Sequence, residues 1–142
     1  MADLHPEACK LIESGRLAHM VTLNPDGGPQ VSCVWVGMDG DDIVSGHLPR
    51  NQKVKNVERD GRVAISIETD TLSDMGLLEY LVVRGTARVE EGGAAELLQR
   101  LAHTYLGPDV KFPPMDDPPA GYVIRTTPEK VGGVGPWTGR GV

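Results

Sequence analysis

One short segment of the chain gathers side chains that can bind a phosphate group. Between Arg50 and Arg62 there are five basic residues and two acidic ones, although the chain of 142 residues has a formal net charge of -6. The segment follows a β-like run, and Lys53 falls in the first turn of a predicted short helix. A helix start offers unpaired backbone N–H groups and a partial positive charge, to which Arg and Lys add charge-assisted hydrogen bonds. The alternative is that these charges form only the solvated face of an amphipathic helix.

The other reactive side chains show no catalytic or metal-binding pattern. The four histidines lie at positions 5, 19, 47 and 103, with no i, i+4 pair and no HExxH motif. Nothing in the sequence supplies a base beside Cys33, which we interpret as a small packing residue in a strand. We therefore expect no metal site and no protein side chain dedicated to acid–base or nucleophilic catalysis.

The composition excludes several classes of partner. The negative net charge argues against general affinity for nucleic acid or for anionic membranes, because the long-range field repels both. No hydrophobic stretch approaches the length of a membrane span, and residues 1–15 lack the pattern of a signal peptide. Cys9 and Cys33 have no CxxC or Cys/His spacing. We expect a reduced, cytoplasmic protein.

The elements that must position the basic segment are mostly strands. Residues 1–142 suit a single domain, and its core must come from aliphatic and β-branched side chains, since only six aromatic residues are present. A helix ending near Gly15 is followed by a hairpin with strands at residues 17–24 and 29–37 around the turn at residues 25–28, and a meander then continues to a third strand at residues 42–47. Further strands are predicted at residues 62–69, 79–91 and 122–131, a loop at 70–78, a helix at 53–60 and a helix at 94–105. Because most strands are joined by short turns, we expect an antiparallel sheet or small barrel with flanking helices rather than a parallel βαβ fold.

The order of these segments resembles a known family. The stretches "RLAHMVTLNPDGGPQVSCVWVGMDGDDIV", "GHLPRNQKVKNVERDGRVAISI" and "YLVVRGTARVEE" resemble the pyridoxamine-phosphate-oxidase-like split β-barrel family. Within it, the chain looks most like the actinobacterial flavin/deazaflavin oxidoreductases that use coenzyme F420. The resemblance implies a mainly β (α+β) split barrel of about six antiparallel strands with two to three flanking helices, assembled as a homodimer.

The resemblance also implies which residues hold the cofactor, in a groove at the dimer interface. The residues implied to bind phosphate are Arg50, Asn51, Gln52 and Lys53, with support from Lys55 and Asn56. Gln30, Ser32 and Cys33 are implied to line the ring or ribityl part of the groove. Leu77 and Leu78 match a position where the family closes over the cofactor, and Trp137 is expected to reach the ring from the second subunit.

Departures from the family pattern bear on the cofactor. Many members that bind flavin mononucleotide (FMN) have Ser or Thr close before an Arg-Lys pair, whereas here Pro49 precedes Arg50 and two residues separate it from Lys53. The chain also lacks the arginine-rich ending of the pyridoxamine phosphate oxidases, which argues against their vitamin substrate. Both differences favour coenzyme F420 over FMN.

The resulting functional hypothesis is hydride transfer from reduced F420 to a conjugated, electrophilic small molecule such as an enone, lactone or quinone. The cofactor supplies the hydride chemistry, which agrees with the lack of a catalytic side chain. Two alternatives remain: an FMN-binding flavin reductase or oxidase of the same fold, and a non-catalytic protein that binds or stores F420.

Overall fold

The computed structural model describes residues 3–138, and all seven of the strands there belong to one antiparallel sheet. The helices are α1 (Pro6–Ile12), α2 (Gln52–Arg59) and α3 (Ala94–Tyr105). The strands are β1 (Ala18–Leu23), β2 (Pro29–Val34), β3 (Gly37–Asp39), β4 (Asp42–His47), β5 (Arg62–Leu72), β6 (Leu78–Glu91) and β7 (Tyr122–Val134). A short 3-10 turn follows at Pro136–Thr138. The expected mainly β fold with flanking helices is confirmed.

The sheet is rolled into a split barrel. Its strand order is β2-β1-β5-β6-β7-β4-β3, so that the two end strands, β2 and β3, are consecutive in the chain. Only Trp35 and Val36 separate them, and three Cα–Cα steps span at most about 11 Å. The two edges of the sheet must therefore approach each other at this point.

This topology corrects the predicted meander. The strand expected at residues 29–37 divides at Trp35, which gives seven strands instead of six. Its last part, β3, pairs with β4 as a hairpin, but β4 does not lie beside β2: its other neighbour is β7. The physical reason is that the chain turns at Trp35 and Val36 and leaves the β1–β2 hairpin for the opposite end of the sheet.

Side chains from distant parts of the chain hold this turn in place. The Trp35 ring stacks on Tyr105, with ring centroids 5.2 Å apart, and packs at a tilt against Phe112. The Tyr105 hydroxyl donates a hydrogen bond of 2.7 Å to the carbonyl of Arg16 and accepts one of 3.0 Å from the Val36 backbone N–H. The end of α3 is thereby fastened both to the turn between β2 and β3 and to the segment before β1.

The barrel core is aliphatic, as the alternation of apolar residues predicts. Alternation predicts one inward side for β5 and one for β6. Of the apolar side chains on these sides, Val89 is only partly buried, and the buried ones are Val63, Ile65, Ile67, Leu81, Val83 and Ala87. Helix α1 adds Ala8, Leu11 and Ile12 to this core, and α2 adds Val54 and Val57. Helix α2 contacts β1, β6 and β7, which fixes the basic segment against the barrel wall.

The hairpin between β5 and β6 is more regular than expected. The predicted loop at 70–78 is shorter, because β5 continues to Leu72 and β6 begins at Leu78, with an irregular register between Glu68 and Leu72. The tip of this hairpin is exposed and apolar: Leu72, Met75, Leu77 and Leu78 are all close to half exposed or more.

Gly121 sets the distance between α3, β7 and the end of β4. Its φ is +68°, and a Cβ atom there would lie 2.6 Å from both the Cβ of Ala94 and the carbonyl oxygen of His47. Glycine is the residue that tolerates both the backbone angle and the close approach. The end of β4 is thereby held directly before the basic segment.

Candidate functional site

The basic segment divides into paired and unpaired cations. Arg50 forms an ion pair of 2.6 Å with Glu58, and Arg62 forms one of 2.7 Å with Asp60. Arg59 donates hydrogen bonds to the carbonyl oxygen that ends β1 and to Asn56. Three of the five cations that the sequence brings together are thus engaged within the chain.

The two lysines of α2 have no acidic partner among residues 3–138, and their surroundings differ. Lys55 is exposed, whereas Lys53 is half-buried, and desolvation by that burial lowers the pKa of its ammonium group. Removing a charge from water without pairing it is unfavourable, since the lost hydration is not replaced. Lys53 is therefore the cation of this segment whose environment best fits an anionic ligand.

The start of α2 is capped but retains free donors. Asn51 has extended backbone angles, and its Oδ1 atom accepts a hydrogen bond of 3.1 Å from the Val54 N–H. The N–H groups of Gln52 and Lys53 have no intrahelical acceptor, because they belong to the first turn. The Gln52 side chain donates a hydrogen bond of 2.8 Å to Asn56 Oδ1. An anion near Lys53 would meet these backbone donors and the positive end of the helix dipole.

Asn56 fastens α2 to the barrel. It is fully buried, and its Nδ2 atom donates hydrogen bonds of 3.0 Å to Thr22 Oγ1 and to Asn24 Oδ1. Its Oδ1 atom accepts from Gln52 and Arg59. With both ends of its amide occupied, Asn56 holds the helix in position, while its side chain offers no free donor to a ligand.

Lys53 opens into a cleft between the two edges of the sheet, which we call the split cleft. It has a volume of about 220 Å³. Its lining includes Cys33, Trp35, Gly46, His47, Lys53 and Phe112. Four elements that are distant in sequence meet there: the end of β2, the end of β4, α2 and the proline-rich loop after α3. The structure thus brings together two of the residues implied by the resemblance, Cys33 and Lys53.

His47 is a residue of this cleft that sequence reasoning missed. It ends β4 and is only 7% exposed, and its Nε2 atom lies 2.8 Å from Ser45 Oγ. Burial, reinforced by the positive charge of Lys53, lowers the pKa of His47 to about 4. Two features of the sequence could have indicated His47 as a site residue. It directly precedes the basic segment, and it follows a serine by two residues, which places both side chains on the same face of the strand.

The three residues of β2 implied to line the groove do not share one face. Gln30 and Ser32 lie on the more buried side, with Gln30 Oε1 accepting a hydrogen bond of 3.2 Å from Thr22 Oγ1. The Ser32 hydroxyl oxygen is buried and has no hydrogen-bond partner among residues 3–138. Cys33 lies on the opposite, exposed side. This follows from the two-residue period of a strand.

Leu77, Leu78 and Trp137 lie at the other end of the barrel. A larger cleft of about 460 Å³ occurs there, lined by Leu78 and Tyr80 among others, with two carboxylates and no cation in its wall. The Trp137 indole N–H donates a hydrogen bond of 3.1 Å to the carbonyl of Tyr80. β7 pairs with His47 at its start and with Tyr80 at its end. Leu77, Leu78 and Trp137 are not among the residues that line the split cleft of their own chain.

No group of three or more His, Cys, Asp or Glu side chains in residues 3–138 is placed to hold a metal ion. The helices of the same region are too short or too polar to cross a membrane.

Comparison with known proteins identifies the family. Residues 4–135 match the family model described as pyridoxamine 5'-phosphate oxidase. Among solved structures, an F420 reductase is 26% identical with a TM-score of 0.67, covering 87% of this chain and 94% of that one. A conserved hypothetical protein from Mycobacterium tuberculosis is 23% identical with a TM-score of 0.68, covering 92% and 86% of the two chains. HupZ from Group A Streptococcus is 18% identical with a TM-score of 0.63, covering 92% and 99%.

The search of curated proteins gives no match. The family match nevertheless spans most of the chain, and the strand order, the split cleft and the solved structures agree with it. The chain belongs to the pyridoxamine 5'-phosphate oxidase family.

Proposed function

We propose that this protein is an F420-dependent oxidoreductase that reduces a conjugated organic acceptor such as an enone, lactone or quinone. The observation that carries the proposal is Lys53, a half-buried cation without an acidic partner among the described residues, placed in a cleft at the start of a helix. Such an environment suits a phosphate ester. The 26% identity to an F420 reductase supports the choice of cofactor.

The proposed roles of the basic segment follow from its contacts. Lys53 binds the cofactor phosphate, together with the free backbone N–H groups of the first turn of α2. Arg50 is exposed and paired with Glu58, so that it contributes charge from the rim of the site. Asn51 shapes the helix start and Gln52 braces Asn56, which fixes α2 against the barrel. Lys55 contributes only long-range positive potential.

The residues of β2 are proposed to line the remainder of the cofactor groove. Cys33 opens to the split cleft. Ser32 lies on the other face of β2, where its hydroxyl, without a partner among residues 3–138, is a buried polar atom that a ligand reaching that face could satisfy. Gln30 lies two residues away on the same side of the strand. When bound, the reduced deazaflavin supplies the hydride, and the protein holds its phosphate, shields one face of the ring and leaves the other open to the acceptor.

The site also supports a homodimer. Ligand pockets usually measure about 300–1,000 Å³, and the split cleft, at about 220 Å³, holds only part of a flavin-sized molecule. Leu77, Leu78 and Trp137, proposed to cover the ring, do not line the split cleft of their own chain. In a two-fold dimer, these residues of one subunit can lie against the split cleft of the other.

An exposed apolar surface is available for such a dimer. The outer face of β2, β1, β5 and β6 carries Val31, which is 59% exposed, and Tyr80, which is 43% exposed, with Val21 and Val82 between them. Exposed apolar side chains grouped on one sheet face, here interspersed with His19, Ser66 and Glu68, support an interface at this face. Both cysteines are free thiols, which supports a reducing, cytoplasmic setting for the enzyme.

Two experiments test the proposal in sequence. Titrating the purified full-length chain with F420 and, separately, with FMN compares the two cofactors by fluorescence. We expect F420 to bind more tightly; a preparation that is yellow with bound flavin would favour FMN instead. Reduced F420 is then mixed with a panel of enones, lactones and quinones, and its oxidation is followed against a protein-free control. Tight F420 binding without oxidation of the reduced form by any acceptor would indicate a binding or storage protein.

A further inference from the structure

His47 places a free polar atom in the wall of the split cleft. The residue is only 7% exposed, and its Nε2 atom is occupied by the contact of 2.8 Å with Ser45 Oγ. The other ring nitrogen, Nδ1, has no hydrogen-bond partner among residues 3–138, and it is not one of the fully enclosed atoms of that region. Because His47 lines the cleft beside Lys53, Nδ1 is accessible to a ligand that occupies it.

The surroundings of His47 keep its ring neutral. Lys53 approaches from α2 and Tyr122 is its partner on β7, while Ser45 precedes it on its own strand. Cys33 of β2 lines the same cleft. None of these groups is an acid that would stabilise an imidazolium at neutral pH, and with the pKa of His47 lowered to about 4 the ring carries a single N–H.

A neutral ring restricts what Nδ1 can bind. If Ser45 donates to Nε2, then Nδ1 carries the proton and donates; if Nε2 donates to Ser45, then Nδ1 accepts. A hydroxyl group can serve as partner in either tautomer, because it both donates and accepts. A phosphate dianion only accepts, and Lys53 is the better partner for it.

We propose that His47 is a ligand-binding residue of the split cleft, where its Nδ1 atom hydrogen-bonds an uncharged hydroxyl of the same phosphorylated ligand whose phosphate contacts Lys53. This inference rests on the proposed phosphate site and adds a chemical requirement to it. The cleft volume equals that of about seven molecules of liquid water, which is room for a phosphate group and a short hydroxylated chain. The site therefore selects a polyol phosphate over inorganic phosphate.

The test compares two small probes on the full-length protein. Ribitol 5-phosphate and inorganic phosphate are titrated by NMR into the wild type and into His47→Leu, which keeps bulk but removes the polar atoms. We expect ribitol 5-phosphate to bind the wild type more tightly. The substitution should weaken ribitol 5-phosphate binding about threefold to tenfold, the effect of losing one neutral hydrogen bond, and change phosphate binding less than twofold. His47→Gln, which can still donate and accept, should recover part of the selectivity.

Several outcomes separate this inference from its alternatives. Equal weakening of both probes by His47→Leu would show a purely structural role, and unchanged selectivity would show that the hydroxyl contact is absent; either result overturns the inference. Lys53→Ala should weaken both probes. If it does so while the His47 variants keep wild-type selectivity, the phosphate site stands and only the role of His47 fails. If the wild type binds neither F420 nor FMN, the proposed function itself fails.

Discussion

Replacing Lys53 with alanine should weaken F420 binding by about 10- to 150-fold. The structure leaves this ammonium group half-buried, without an acidic partner in residues 3–138, at the first turn of α2. A hydrogen bond to a charged group contributes about 1.5–3 kcal/mol, and each 1.4 kcal/mol changes a dissociation constant tenfold. Fluorescence titration of F420 measures the change directly.

The same substitution should not destabilise the protein without ligand. Because burial lowers the pKa of Lys53, the folded state disfavours its charged form, and this unfavourable contribution is present at neutral pH and disappears only as pH rises towards the ordinary lysine value. Lys53→Ala is therefore expected to be as stable as the wild type or slightly more stable in urea denaturation. Loss of binding together with loss of stability would indicate a damaged fold instead of a lost phosphate contact.

Lys55 provides the matched control. It lies two residues away on the same helix, has the same charge and is exposed. An exposed charge at this distance is screened by salt, so Lys55→Ala should change F420 affinity less than threefold at about 0.15 M salt. The assignment of the phosphate site to Lys53 is refuted if Lys53→Ala binds within twofold of the wild type, or if both variants lose affinity equally.

Three further predictions concern stability and are checked by urea denaturation. Tyr105→Phe removes the hydroxyl that holds the Val36 N–H, and we expect a loss of about 1–2 kcal/mol; an unchanged midpoint would mean that water replaces the hydroxyl. Asn56→Ala leaves buried partners unsatisfied and should cost about 2–3 kcal/mol, whereas Lys55→Ala should stay within about 0.5 kcal/mol of the wild type. The folded state disfavours protonation of His47, because its pKa there is about 4 instead of 6.5. Above pH 6.5 the ring is neutral in both states, and His47 does not make stability depend on pH. As the pH falls from 6.5 towards about 4, the free energy of unfolding should decrease by about 3 kcal/mol in total. His47→Gln should reduce that acid sensitivity, and an identical pH profile for this variant would contradict the assignment.

Local sequence patterns predicted most elements because their causes are local. The helix at 94–105 follows from apolar residues at helical spacing, and the inward residues of β5 follow from strict alternation. The first hairpin follows from its Pro-Asp-Gly-Gly turn. In each case the signal lies within a dozen residues of the element.

The position of β4 in the sheet has no such local signal. It depends on the turn at Trp35, and that turn is held by Tyr105 and Phe112, about 70 residues further along the chain. The two residues between β2 and β3 read equally well as a continuous strand, since Trp and Val are both typical strand formers. The closure of the barrel therefore could not be derived from these residues alone.

The candidate site likewise combines features that local sequence predicts with features that depend on distant contacts. The accumulation of cations after β4 was visible in the sequence, but which cation is free depends on where Glu58 and Asp60 point. The role of Asn56 as a helix brace depends on contacts with Thr22 and Asn24, more than 30 residues away. Sequence spacing predicted a phosphate-binding segment; ion pairing leaves Lys53 and Lys55 within it, and burial distinguishes Lys53 as the proposed phosphate-binding residue.

The position of β7 between β6 and β4 has a consequence for how the chain is made. The hairpin of β3 and β4 joins the rest of the sheet only through β7. It therefore has no neighbouring strand to pair with until residues 122–134 have left the ribosome. Before that moment the nascent chain exposes two unpaired strand edges, which are prone to intermolecular pairing. Barrel closure must then wait until β7 has been synthesised, and we expect it to be comparatively slow because it depends on contacts of long sequence separation. A chain that stops before β7 is expected to aggregate during expression, even though its first six strands are complete.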